Sequence, residues 1–327
     1  MIPLFTLGEA LIDFIPTDRD VPLTEAATFS RQAGGAPANV AAQAARLGGD
    51  ARFIGKIGND SFGDFLIRVL KDSGVDTTHV LQTGEARTSL AFVSQVEEDE
   101  NPFTFYRDPA ADQLLQPEEV PGESLTNPGI FHFCSVSLSS DPVRSATRRA
   151  VDTARRHGLL ISFDPNIRPP LWPSLDAAKA EIRSLLPSAH LVKVSRSELM
   201  ELMDTRSDDV EAIGRRFLEQ YENQLLIFTL GSQGCLFVTS EGTGMVQAPA
   251  AHSVDPTGAG DSLAGAMLFR LSEQNVTPQK LAQWCNQHSW VEENLRFAVR
   301  IATHSTTGYG AIASYAGKAD LARLGLE

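Results

Sequence analysis

Val254-Asp255-Pro256-Thr257-Gly258-Ala259-Gly260-Asp261-Ser262 runs from a β-type residue, through a turn almost free of side chains, into the start of a helix. Leu263, Met267, Leu268 and Leu271 follow on one face at helical spacing. Gly258, Ala259 and Gly260 therefore set bare backbone N–H groups at a helix N-terminus, where amides lack intrahelical partners and the dipole favours anions. Asp261 stands beside that nest. A first-turn aspartate is ordinary helix chemistry. Next to an anion site, however, a carboxylate repels the anion unless a reaction needs a proton acceptor there. A phosphoryl group on the nest, with Asp261 taking the proton of an attacking hydroxyl, accounts for both features.

Outward from this turn, short apolar runs alternate with helical patterns. Leu4 to Leu7, Arg52 to Ile57, Ile130 to Cys134, Leu159 to Phe163, Leu191 to Val194 and Leu225 to Thr229 read as strands. Residues 37–47, 64–72, 142–157, 176–186, 197–203 and 210–219 read as helices. The rhythm predicts an α/β fold with a doubly wound, mostly parallel sheet. Two stretches break it. Residues 10–29 are strand-like but punctuated by Pro16 and Pro22, and 88–96 with 103–106 resembles a hairpin tipped by Glu97-Glu98-Asp99-Glu100. We expect one α/β domain over 1–327, with a small β-sheet lid inserted from about 10–32 and 87–108.

Bulk properties narrow the classes. The chain has 327 residues and 42% hydrophobic content, enough for a real core. Its net charge of −13, with no basic cluster, argues against nucleic acid and anionic membranes as partners. No apolar run reaches the roughly 18 residues of a membrane span. The first 16 residues carry Glu9 and Asp13 rather than a positive leader, so no signal peptide is expected. Cys134, Cys235 and Cys285 form no metal spacing and read as buried thiols of a cytoplasmic protein. P-loop, GxGxxG and HExxH motifs are absent from the sequence.

Other candidates follow predicted strands, where open α/β sheets bind ligands. Gly34-Gly35 precede a helix opening at Pro37, and glycines there allow close backbone approach. Asn39 offers a donor and an acceptor to a sugar hydroxyl. Asp13, between apolar neighbours, reads equally as a surface residue of a half-buried strand or as an acceptor of two vicinal hydroxyls. Arg168 and Arg107 could meet a phosphate or carboxylate, or simply face solvent. The Gly231 to Gly234 turn after Thr229 is by itself a weak nucleotide signal.

Gly34-Gly35-Ala36-Pro37-Ala38-Asn39-Val40-Ala41 through Gly55-Lys56-Ile57-Gly58-Asn59-Asp60-Ser61-Phe62-Gly63, and Asp255-Pro256-Thr257-Gly258-Ala259-Gly260-Asp261, resemble the two signatures of the ribokinase, or phosphofructokinase-B, family of sugar kinases. The resemblance spans Leu7 to Ser314. It implies ATP-dependent phosphorylation of a primary alcohol with Mg2+, Asp261 as base and Gly258, Ala259 and Gly260 as the anion hole. It further implies Asp13, Gly34, Gly35, Asn39, Phe105, Arg107 and Arg168 around the sugar. Lys193, Ser195, Thr229, Gly231 and Gly234 would hold the nucleotide, with its base near Ala298 to Thr303. Glu198 would organise Mg2+ through water. Asp255, Thr257, Ser305, Gly308, Gly310 and Ser314 would hold K+, mostly by carbonyls. Where many members carry Asn-x-x-Glu, this chain has Ser195-Arg196-Ser197-Glu198. We also expect the helix dipole to hold the Asp261 pKa down.

Gly8-Glu9-Ala10-Leu11-Ile12-Asp13-Phe14, Phe105-Tyr106-Arg107 and Phe163 to Trp172 most resemble fructokinases, with fructose 6-phosphate as product. A 2-keto-3-deoxygluconate kinase is the nearest alternative, since Arg107 and Arg168 suit an acid sugar. Asp13 would repel such a substrate, and Phe105 stands where the acid-sugar kinases tend to place a tyrosine. Ribose, aminoimidazole riboside and nucleosides stay open, as does a catalytically silent sugar-binding regulator. Exposed lid edges suggest a homodimer.

Overall fold

The computed structural model describes residues 1–18, 20–94, 96, 103–126 and 128–326. The acidic hairpin tip expected at 97–100 lies outside the described residues. The chain runs β1 (Leu4–Leu7), β2 (Leu11–Pro16), β3 (Phe29–Gly34), α1 (Ala36–Arg46), β4 (Ala51–Gly58), α2 (Ser61–Asp72), β5 (Asp76–Thr83), β6 (Leu90–Val93), β7 (Phe103–Tyr106) and β8 (Ile130–Cys134). It continues through α3 (Val143–Arg156), β9 (Leu160–Asp164), α4 (Leu175–Leu185), β10 (Leu191–Ser195), α5 (Arg196–Leu202), α6 (Val210–Tyr221) and β11 (Leu225–Thr229). It closes with β12 (Gly234–Thr239), β13 (Gly242–Gln247), α7 (Ala259–Glu273), α8 (Pro278–Cys285), α9 (His288–Ser305) and α10 (Ala311–Ser314).

One sheet has the order β13-β12-β11-β10-β9-β8-β1-β4-β5. It is parallel from β11 to β5 and antiparallel at β12 and β13. Alternate side chains of its inner strands enter two separate cores, which is why those strands read as continuous apolar runs. Leu4, Phe53, Ile130 and Ile227 join α1, α7 and α9 on one face. Phe5, Ile54, Phe131 and Phe228 join α3, α4 and α6 on the other. A second sheet, β3-β2-β6-β7, is built from the two stretches that broke the rhythm. Its β2–β3 and β6–β7 pairs are antiparallel hairpins joined by parallel β2–β6 pairing.

β5 and β13 are not legible as strands in the sequence. Both are edge strands: β5 alternates exposed and half-buried residues, and β13 carries Gly242 and Gly244. With one side unpaired, neither accumulates the apolar run that marks an inner strand. The large sheet's loops and the inner side of the small sheet meet at the carboxyl ends of β1, β8, β9 and β10, and the candidate residues collect there.

Candidate active site

Two clefts meet at the start of α7. The smaller, of about 280 Å³, is bounded by Asp13, Gly35, Asn39, Phe105, Arg168, Gly258 and Asp261. The larger, of about 700 Å³, is bounded by Thr229, Gly231, Gly234, Ala259 and Gly260, with Leu263, Val299, Ala302 and Thr303 as an apolar wall. Pro256 borders both. The glycine turn thus stands between a small polar cleft and a larger, less polar one.

Gly258 has φ +75, a left-handed geometry open to glycine, and a Cβ there would fall 2.5 Å from Ala311 Cβ and 2.7 Å from the Tyr315 hydroxyl. That hydroxyl donates to the Gly258 carbonyl at 2.9 Å, fixing the peptide at the helix start. Within the expected nest one donor is already spent: the Ala259 amide donates to the Pro256 carbonyl at 3.1 Å. The Gly258 and Gly260 amides have no intramolecular partner among the described residues. At Gly260 a Cβ would lie 2.8 Å from Lys193 Nζ, so this glycine admits an ammonium against the helix start.

Lys193, in the middle of β10, donates to Asp164 Oδ2 at 2.8 Å, and both side chains are buried. Burial alone would lower its pKa; Asp164, Glu198 and Asp261 together hold it above the ordinary lysine value. The ammonium therefore stays charged beside the nest, although it borders neither cleft directly.

Asp261 is buried. Asn39 Nδ2 donates to its Oδ2 at 2.8 Å, and Asn166 Nδ2 to its Oδ1 at 3.3 Å. Burial pushes the carboxyl up from 3.8 to about 6, against the pull of Lys193, the Asn39 bond and Arg168. This corrects the expectation that the helix dipole holds the pKa down: losing water outweighs the dipole. Asn39 serves the aspartate with its amino group, and its Oδ1 is buried without a partner. Asn166, held at φ 43 in the turn after β9, was missed in the sequence. Its signal was an asparagine just past a strand end, a residue tolerant of that conformation.

Asp13 enters the cleft from β2, and burial raises its pKa from 3.8 to about 7. Gly34 was expected to face the ligand. Instead a Cβ there would lie 2.0 Å from Asp13 Oδ2, so Gly34 makes room for that carboxyl and does not line the cleft. Gly35, with φ +103, does line it. Phe105 lines it from β7, and Arg168 stacks 5.0 Å from the neighbouring Phe103 ring. Arg107 does not join this cleft. It is buried, ion-paired with Asp112 and 3.3 Å from Ser89 Oγ. Glu9, unnoticed as a site residue, borders the cleft with Oε1 on the Ala36 amide at 3.0 Å and Oε2 buried without a partner.

Ser195 and Glu198 are architectural first. Ser195 Oγ accepts from the Glu198 amide while Glu198 Oε2 accepts from the Ser195 amide, a capping box at the start of α5. Glu198 Oε1 also accepts from the Ile167 amide at 2.6 Å, tying the loop after β9 to α5. The departure from Asn-x-x-Glu is therefore a helix cap, and neither residue lines a cleft. Asp255 is buried, with Oδ1 on the Thr257 amide and Oδ2 on the Gly310 amide, both at 2.9 Å. It joins the nest turn to the loop before α10. Ser314 Oγ turns back onto the Gly310 and Ala311 carbonyls, and Ser305 Oγ onto Ala302. Gly308 packs against Ser314. No cluster of three acidic, histidine or cysteine ligands exists among the described residues.

Residues 1–317 match the pfkB family of carbohydrate kinases. Fructokinase-1 of Oryza sativa subsp. japonica is 41% identical over 319 residues, covering 98% of this chain and 96% of that protein. The solved structure of fructokinase from Xylella fastidiosa with bound ATP has a TM-score of 0.89 at 34% identity, covering 98% of this chain and 97% of that one. Fructokinase from Vibrio cholerae O395, in a fructose-, ADP- and calcium-bound form, has a TM-score of 0.88 at 34% identity, covering 100% and 99%. The expected α/β architecture with its small separate sheet is the one these neighbours share. By the match along its length, the chain belongs to the pfkB family of carbohydrate kinases.

Proposed function

We propose that this kinase transfers the γ-phosphoryl group of ATP to the primary hydroxyl of D-fructose, giving fructose 6-phosphate. One observation carries the reading: Asp261 stands in a small polar cleft while Gly260, one residue away, opens onto the larger cleft. ATP would fill the larger cleft, its base against Val299 and Ala302, its phosphates toward Gly258 and Gly260. The sugar would fill the smaller one. Asp13 and the free Asn39 Oδ1 accept its hydroxyls, and Asp261 accepts the proton as the oxygen attacks. Because phosphoryl transfer is loose, positioning and charge stabilisation matter more than a strong base. Amides 258 and 260, with Lys193 behind them, meet the developing charge.

A neutral ketose suits the cleft better than the acid-sugar alternative. An acid sugar would face Asp13, Glu9 and Asp261 with Arg168 as cation, since Arg107 is spent on Asp112. Magnesium would neutralise the phosphates. Glu198 reaches it only through water, because both its oxygens already accept amides; a water-rich shell is what Mg2+ prefers. Potassium fits behind the nest, where buried Asp255 supplies negative charge and the 308–314 loop supplies carbonyls. The small sheet would act as a lid, and its outer strands β3 and β7 would pair with a second copy, where Tyr106 is exposed. Initial rates with ATP across fructose, 2-keto-3-deoxygluconate, ribose and aminoimidazole riboside test the assignment. Turnover of the acid sugar above fructose would overturn it, and fructose-dependent melting shifts without ADP release would mark a silent regulator.

A further inference from the structure

The small sheet is joined to the large one by four chain crossings: hydrogen-bonded Ser89, Arg107 and Asp112 tie two of them, and Glu9, which feels the Arg107 and Asp112 charges through space, ties the other two. Glu9 lies in the link from β1 to β2. The Ala36 amide, which donates to Glu9 Oε1, ends the link from β3 to α1. Ser89 precedes β6 and Arg107 follows β7. Asp112, in a helical turn of the body at Ala111–Leu114, accepts from both: the Ser89 hydroxyl donates to Oδ1 and the Arg107 guanidinium to Oδ2. The Ser89 carbonyl accepts from the Ile12 amide at 3.0 Å, reaching into β2. Glu9, Ser89, Arg107 and Asp112 are 3%, 0%, 6% and 4% exposed, so water does not compete for these bonds.

A buried ion pair is weak evidence of stability, because desolvation offsets attraction; fixing register is its best-attested use. Register is what this location needs. Asp13 and Leu11 on β2, and Phe103 and Phe105 on β7, reach the small cleft from strands rooted in this cluster. Arg107 lies two and four residues beyond Phe105 and Phe103, on the same side of the chain by strand alternation.

We propose that Glu9, Ser89, Arg107 and Asp112 form a clasp that positions the acceptor sugar, with Asp112 setting the angle at which the lid presents Asp13 and Phe105. They are positioning residues; the step itself belongs to Asp261 and the nest. The proposal rests on the sugar-kinase reading, and the experiment separates the two.

The informative variant replaces the pair at once, Arg107→Met with Asp112→Leu, leaving no uncompensated charge. Expected are a fructose KM raised at least ~10-fold, kcat at saturating fructose within ~3-fold, an unchanged ATP KM and a near-normal Tm. Unchanged fructose KM, or kcat falling with KM intact, would overturn the clasp. Should the pair variant not fold, Ser89→Ala keeps both charges and removes only the bridging hydroxyl; a raised fructose KM supports the proposal and an unchanged one overturns it. Arg107→Lys keeps charge but loses the planar fork, so it should resemble the pair variant and not wild type. If wild type itself fails to turn over fructose, the kinase reading has failed, and the clasp is then judged by amide hydrogen exchange. Faster exchange in Leu11–Pro16 and Leu90–Val93 of the variant, with the large sheet unchanged, supports it; equal exchange refutes it.

Discussion

Asp261 meets opposing demands. A base needs to be ionised, yet the cleft removes the water that stabilises its charge. Asn39, Lys193 and Arg168 return part of that stabilisation, and the balance leaves the carboxyl at about 6. It is therefore mostly ionised at neutral pH but a stronger base than a surface aspartate. Asp261→Asn should lower kcat by ~10²–10⁴, the usual yield of general-base catalysis, while fructose affinity by calorimetry stays within a few-fold. Equal losses in both would remove the base assignment. In wild type, kcat/KM should fall as pH drops through about 6, because the protonated acid cannot accept the hydroxyl proton. Asp13→Asn should keep that acid limb, whereas a profile flat from pH 5 to 8 would place the base elsewhere. Gly258→Ala tests the nest at the same scale. Its φ of +75 and the clash with Ala311 and Tyr315 should turn the amide away. A loss of ~10²–10³ in kcat, the cost of one lost oxyanion donor, is expected.

At the scale of elements, legibility followed burial. The inner strands β1, β4, β8, β9, β10 and β11 are buried on both faces, and their apolar runs located them within a residue or two. The edge strands β5 and β13 left no such run. The nest and Asp261 were legible because a glycine turn before a helix dictates its own chemistry. Side-chain partners were not: Asp112 stands five residues after Arg107, yet no periodicity says that it takes the guanidinium across the turn, nor that Gly34 faces Asp13 rather than ligand. Ser195-x-x-Glu198 carries the spacing of a capping box in the sequence itself. Glu198 bonds three segments: β10, α5 and the loop carrying Asn166 and Arg168. Glu198→Ala should therefore cost more than an ordinary cap, beyond ~1 kcal/mol, and raise the fructose KM by loosening that loop. Unaltered Tm and KM in melting and rate assays would show the tie to be dispensable.

For the whole molecule, the site is a stability cost borne by the fold. Glu9, Asp13 and Asp261 are buried carboxyls raised to about 7, about 7 and about 6 by loss of water. In the unfolded chain they titrate near 4. Between about pH 4 and 7 these three carboxyls hold more protons folded than unfolded, so their contribution to stability is greatest at the acid side and falls as pH rises through these pKa values, while His132 and His190, pushed down by burial to about 3 and about 4, contribute in the opposite sense. The acidic chain, at −13, adds repulsion in the same direction as the carboxyls. Asparagine copies the neutral carboxyl at every pH. Asp13→Asn should thus match wild-type Tm near pH 4 and exceed it by on the order of 5 °C at pH 8 without sugar. Fructose should close the gap at pH 8, because its hydroxyls satisfy the ionised Asp13 of wild type and bind the variant less well. Melting curves at pH 4, 6 and 8, with and without fructose, decide the matter. A variant less stable than wild type at pH 8 would mean that the Asp13 charge is already compensated in the empty cleft, and that the fold gives up nothing to keep it there.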